Sequence, residues 1–200
     1  MKQNKRRFTL VEVLVVAGII CIIAALILVT YNGVYQSWST GNTAATMKSA
    51  QLALDKYMLE NGTYPVEDNG TELGKICLKS SADSNVIKAA KDKLFNDLLQ
   101  DCAPYSYKNS STELWIFDDY GPKPPKTPKE IFYRFPMDNS KGFALFSKGK
   151  NGEWGNGDDI VYLSQGDSDR KPGFYRCSVE EKNSGKLEID TDDEVEPIAQ

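Results

Sequence analysis

Hard oxygen donors and glycines concentrate in one stretch of the chain, Ser147-Lys-Gly-Lys-Asn151-Gly-Glu-Trp-Gly-Asn-Gly157-Asp158-Asp159-Ile160. Carboxylate, amide and backbone carbonyl oxygens suit Ca2+, which takes about six to eight of them at about 2.4 Å, and glycines let a backbone turn its carbonyls inward. The same residues also read as a long hairpin loop with solvated acids, and taken alone they weigh the two readings equally. A second chemically loaded residue is Glu12, which stands at the head of an apolar run. Val13 to Val29 are seventeen residues with no charge and no proline. A carboxylate in such a run costs a few kcal/mol on insertion scales, and a simple anchor or a cleaved secretory signal gains nothing from it. Glu12 therefore calls for a neutralising partner.

Other chemistry is scarce. The chain has no histidine, which removes the usual general base, the Ser-His pairing and the commonest zinc ligand together. No nucleophile and base pair stands out, so no enzymatic activity is expected. Of the four cysteines, Cys21 lies in the apolar run as a packing residue, leaving Cys77, Cys102 and Cys177. Cys77 and Cys102 bracket a predicted helix, and a disulfide between them would staple its ends; Cys102 with Cys177 is the rival pairing. The net charge is −4, and Lys2, Lys5, Arg6 and Arg7 precede the apolar run without an acid, so the remainder is more acidic still. Nucleic acid is excluded as a partner of that remainder on electrostatic grounds.

The elements that must position these residues follow from periodicity. Phe8 to Thr30 as a helix spans about 34 Å, enough for a hydrocarbon core of roughly 30 Å. The basic residues ahead of it put the N-terminus in the cytoplasm and the rest outside, a single pass through the membrane. The helix is expected to continue to Glu60, because Met47, Ala50, Leu54, Tyr57 and Met58 keep helical spacing. Asn61-Gly62 and Pro65 supply its stop, and Gly33 and Gly41 are its expected weak points. A second helix is predicted over Ser84 to Gln100, capped by Asp83 or Ser84, with Ile87, Ala90, Leu94 and Leu98 on one face. Strands are predicted at Leu114 to Phe117, Ile131 to Phe135, Phe143 to Ser147 and Ile160 to Ser164. Tyr64 to Gly74 reads as a loop, and the four prolines of Gly121 to Pro128 as a rigid connector. From Ser178 to Gln200, eight carboxylates against two lysines read as an acidic disordered tail. The expected organisation is a basic leader (1–7), a membrane half-helix (8–30), a globular head including the amphipathic half-helix (31–177) and the tail (178–200).

Phe8-Thr-Leu-Val-Glu12-Val-Leu-Val-Val resembles the class III signal and first mature residues of type IV pilins and type II secretion pseudopilins. The resemblance implies an α+β, pilin-like fold: a long N-terminal helix, half in the membrane, packed on a small antiparallel sheet. It also implies a structural subunit of a pseudopilus in the bacterial inner membrane. A prepilin peptidase would cut between Arg7 and Phe8, with Arg7 standing where the family usually has glycine, and would methylate the new amine. Glu12 would then pair with the Phe8 amine of a neighbouring copy. The implied partners are further copies of the chain, other pseudopilins, the peptidase and an inner-membrane assembly platform. The loop after Ser147 looks like the calcium-binding loop of the major pseudopilin, and on that likeness calcium would be held by carbonyls near Lys148, by Asn151 in place of the family's first aspartate, and by Asp158 and Asp159. Tyr57-Met-Leu-Glu-Asn-Gly-Thr-Tyr-Pro65 is similar to the end of the pseudopilin helix. A type IV pilus subunit and an exported binding domain on a simple anchor are the alternatives.

Overall fold

The computed structural model describes residues 9–78, 80, 82–109, 113–124, 126–137, 141–166, 169–182, 185–190 and 195–198. The chain divides into two compact units, residues 1–38 and 39–200. Helix α1, Leu10–Asn61, begins in the first and ends in the second. It continues through Gly33 and Gly41, so neither glycine breaks it. Among the described residues of the first unit, Leu10, Val13, Ile20, Leu26 and Leu28 are all exposed.

In the second unit, α1 presents Met47, Ala50 and Leu54 inward at helical spacing, each fully buried. The turns before them are held by polar contacts. The Thr40 and Tyr120 hydroxyls bond to each other, and Asn42 Nδ2 donates to Asp119 Oδ2 at 2.9 Å. The helix stops where its sequence says it must: Gly62 takes φ +79°, a left-handed value that glycine adopts freely, and its N–H closes on Met58 O at 2.8 Å.

Strand β1 (Glu67–Glu72) and a short 3-10 turn (Leu73–Cys77) precede helix α2 (Asn85–Asp101). Ser84 is the N-cap of α2, its hydroxyl accepting from Ile87 N at 3.3 Å. Asp83, the other expected cap, instead accepts from Ser80 N and from Lys91 Nζ, both at 2.8 Å. Leu94 and Leu98 are buried, whereas Ile87 is exposed, so only the second half of α2 packs inward.

Strands β2 (Ser106–Lys108) and β3 (Leu114–Ile116) form a small hairpin. The main sheet comprises β1, β4 (Phe132–Phe135), β5 (Ala144–Ser147), β6 (Asp159–Leu163), β7 (Gly173–Cys177) and β10 (Glu196–Pro197), antiparallel in that order. The fold is α+β and of the pilin-like arrangement that the N-terminal residues implied. Tyr133, Leu145, Ile160, Tyr162 and Phe174 face α1 and α2 in one core; Ala144, Phe146, Val161, Leu163 and Cys177 face a second.

The second core takes in part of the segment expected as a disordered tail. Strands β8 (Val179–Glu181) and β9 (Leu187–Ile189) form a hairpin whose Val179 and Leu187 are buried on the far face of the sheet. Arg134 ties this hairpin down: its Nε donates to Asp68 O at 2.9 Å and its Nη1 to Leu187 O at 2.7 Å, with the side chain fully buried. The few apolar residues of an acidic segment suffice because the sheet supplies the rest of the core. The expected Tyr64 to Gly74 loop is likewise corrected, since β1 occupies most of it. Glu67-Asp-Asn-Gly-Thr-Glu72 has no apolar alternation, and its ladder to β4 carries a bulge between Glu67 and Thr71.

Candidate functional site

The first candidate is the start of α1. Its Leu10–Leu28 stretch is long and apolar enough to cross a membrane. Glu12 sits in its first turn and folds back on Thr9: Thr9 N and Thr9 Oγ1 donate to Glu12 Oε2 at 3.0 and 3.1 Å, and Glu12 N donates to Thr9 Oγ1 at 3.3 Å. This is a capping box, in which two groups satisfy each other's open helix-end positions. The sequence reading missed it, although Thr9-Leu-Val-Glu12 carries the Thr-x-x-Glu signature. Glu12 thus has a partner within its own chain, and the carboxylate remains open to a further donor. Arg7 and Phe8 lie outside the described residues.

The second candidate is the turn between β5 and β6, residues 148–158. Ser147 pairs with Ile160 at its base. Gly149, Gly152, Gly155 and Gly157 all take positive φ. At Gly149 the requirement is also spatial, because a Cβ there would lie 2.0 Å from Asp158 O. The two arms of the loop touch at that point. Asn151 and Asp158 are brought together, with Asn151 N donating to Asp158 Oδ2 at 2.9 Å. The Asn151 amide oxygen is turned to Glu153 N at 2.8 Å and folds its own turn. Asp159, fully buried, receives Gly155 N at 2.8 Å and Val179 N at 2.9 Å on Oδ2. Burial pushes its carboxyl up to about 7 against those two donors. Asp158 Oδ1 and Asp159 Oδ1 are buried and have no hydrogen-bond partner.

The Lys148 ammonium packs on aromatic rings, 5.5 Å from the Phe132 ring centre and 5.0 Å from that of Trp154, and acts on Asp159 only through its charge. Its carbonyl accepts from Gly152 N at 3.3 Å. Among the described residues no three carboxylate or thiol side chains converge to hold a metal. A cation here would therefore rest on the two aspartates and on backbone carbonyls. Two residues that the sequence reading did not single out, Asp118 and Lys129, shape the loop. Buried Asp118 accepts from Ser147 Oγ at 2.6 Å, and Ser147 Oγ in turn receives Gly149 N at 3.2 Å. Lys129 Nζ donates to Gly149 O at 3.1 Å and to Lys150 O at 2.7 Å. No local pattern announces these contacts.

The expected Cys77–Cys102 link is corrected: all four cysteines are free thiols, and Cys77, Cys102 and Cys177 are buried. Cys102 Sγ points instead at Thr46 O, 3.9 Å away, packed against α1 as a small apolar residue.

No family model and no solved structure matches the chain. Among curated proteins it is similar to the type II secretion system core protein G of Klebsiella michiganensis, 31% identical over 71 residues, which make up 36% of this chain and 50% of the relative. The chain spans about half the length of the curated relative it matches. The resemblance first carried by Phe8 to Val16 is thus joined by a homologue among type II secretion core proteins and by an apolar N-terminal helix of the pilin-like kind.

Proposed function

We propose that the chain is a structural subunit of a type II secretion pseudopilus, anchored in the inner membrane by α1 with its N-terminus cytoplasmic and its head exported. The observation that carries this reading is an uncovered apolar helix with a carboxylate in its first turn. Lipid or neighbouring helices would cover the apolar surface, and the open lone pairs of Glu12 suit an ammonium. Cleavage between Arg7 and Phe8 and methylation of the new amine would create that ammonium on a neighbouring copy. A carboxylate that is costly in one chain is then neutralised on assembly, which gives the association direction and register. Other pseudopilins, the prepilin peptidase and an inner-membrane assembly platform are the partners this reading implies. The similarity to a secretion-system core protein supports a structural role over an enzymatic one.

The test is filament formation by Glu12→Ala, with Thr9→Val as the control that weakens the cap but keeps the carboxylate. Glu12→Ala should insert in the membrane and fail to assemble, while Thr9→Val should assemble. Equal assembly by wild type and Glu12→Ala refutes the pairing. Mass spectrometry of the mature chain checks the cleavage: an intact Met1 to Arg7 leader rules out that step.

The 148–158 loop is proposed to bind calcium. Two buried carboxylate oxygens without donors fit a hard dication. Asp158 and Asp159 would hold it with loop carbonyls such as that of Lys148, and the ion would neutralise the pair and order the turn. The Asn151 side chain, turned to Glu153, would contribute only on rotating away from that bond. Calcium should raise the thermal midpoint of wild type and not of Asp158→Asn/Asp159→Asn; an unmoved wild-type midpoint refutes the reading.

A further inference from the structure

The two halves of the 148–158 loop are held by different means. The first half is already wired to a segment distant in sequence. Asp118 and Lys129 flank the proline-rich connector and are themselves joined, Asp118 N donating to Lys129 O at 3.0 Å. From one end of this connector Asp118 holds Ser147, and through it the Gly149 amide. From the other end the Lys129 ammonium sits on the carbonyls of Gly149 and Lys150. Gly152 makes room for it: a Cβ there would lie 2.9 Å from Lys129 Cε and 3.1 Å from Nζ. In the second half no ammonium donates to the carboxylates: Asp158 Oδ1 and Asp159 Oδ1 lack hydrogen-bond donors among the described residues, and Lys148, packed on aromatic rings, reaches Asp159 through its charge alone.

We propose that Lys129 is a built-in cation of this loop, an ammonium that holds the carbonyls of its first turn in the place of a metal ion. The physical basis is that turned-in carbonyls present negative partial charge whatever cation faces them. A lysine does this permanently, through charge-assisted hydrogen bonds and without a coordination sphere to complete. The ammonium also withholds these two carbonyls from any metal, and by repulsion keeps a dication toward Asp158, Asp159 and the remaining loop carbonyls. Only that corollary rests on the calcium reading above.

The experiment is hydrogen exchange, read by mass spectrometry on the full chain in detergent, comparing wild type with Lys129→Met. Methionine keeps the length of the stem and removes the donors. In chelator, peptides covering 148–158 should exchange about tenfold faster in Lys129→Met, as expected for losing charge-assisted bonds, while β5 and β6 stay protected. Unchanged loop exchange in chelator overturns the proposal. If exchange quickens and calcium then slows it in the variant, Lys129 and the metal are alternative cations and both readings stand. If exchange quickens and calcium has no effect on either protein, the lysine proposal stands and the calcium reading falls.

Discussion

Replacing Leu187 by alanine separates a folded C-terminal hairpin from an acidic tail. A disordered tail is indifferent to the change. In the structure Leu187 is 2% exposed and packs in the second core with Phe146, Val161 and Val179. Its Cγ lies 2.8 Å from where a Cβ on Gly70 would stand. A glycine has no side chain with which to close the resulting void, and Gly70 at φ +111° resists acquiring one. The cavity should therefore persist, so the loss should fall within the Leu→Ala range, at about 3 kcal/mol or more. For a domain of this size that lowers the midpoint by roughly 6–12 °C. The assay is thermal unfolding of the full chain in detergent followed by near-ultraviolet circular dichroism. A midpoint within about 1 °C of wild type, on the same scale, would show that the hairpin adds nothing and that the far face of the sheet is covered by something else.

Three further outcomes are expected. Burial, with Glu72 next, raises the Glu130 carboxyl from 4.5 to about 7 against the pull of Lys75. Between those values the folded chain holds a proton that the unfolded chain has released, so Glu130 lowers stability as pH rises from 4.5 to 7. Glu130→Gln should therefore raise the unfolding free energy at pH 8, by on the order of 1 kcal/mol after allowance for solvent screening, with the gain vanishing below about pH 4.5; a gain that is the same at both pH values rejects this origin. Ser84→Ala removes the cap of α2 and should cost about 1 kcal/mol in denaturant unfolding, whereas Ser84→Asp should cost little. Burial pushes the Cys77 and Cys102 thiols up to about 12, so alkylation of the native chain should spare both, and alkylation in denaturant without reductant should label all four cysteines. Fewer than four labels would restore the disulfide.

What could be read without coordinates was whatever local sequence determines. The apolar run with Glu12, the Asn61-Gly62 stop of α1, the Ser84 cap and the apolar cores of β4, β5 and β6 each carry their signal within a few residues. Helix termini and buried strands obey rules of neighbouring positions, so their signals survive in a one-dimensional reading. Even the capping box is written in the chain, as the Thr-x-x-Glu signature of Thr9 and Glu12.

Tertiary structure alone decided the rest. Strand β1 has no apolar alternation and exists because β4 offers it a ladder. The β8–β9 hairpin carries too few apolar residues to fold alone, and is ordered because the sheet face and the Arg134 guanidinium meet it. The aspartates and glycines of the loop were visible from the start, but Asp118 and Lys129 reach it from well upstream in the chain. Their contacts depend on where β3 and β4 bring the ends of the connector, a juxtaposition that no spacing rule encodes.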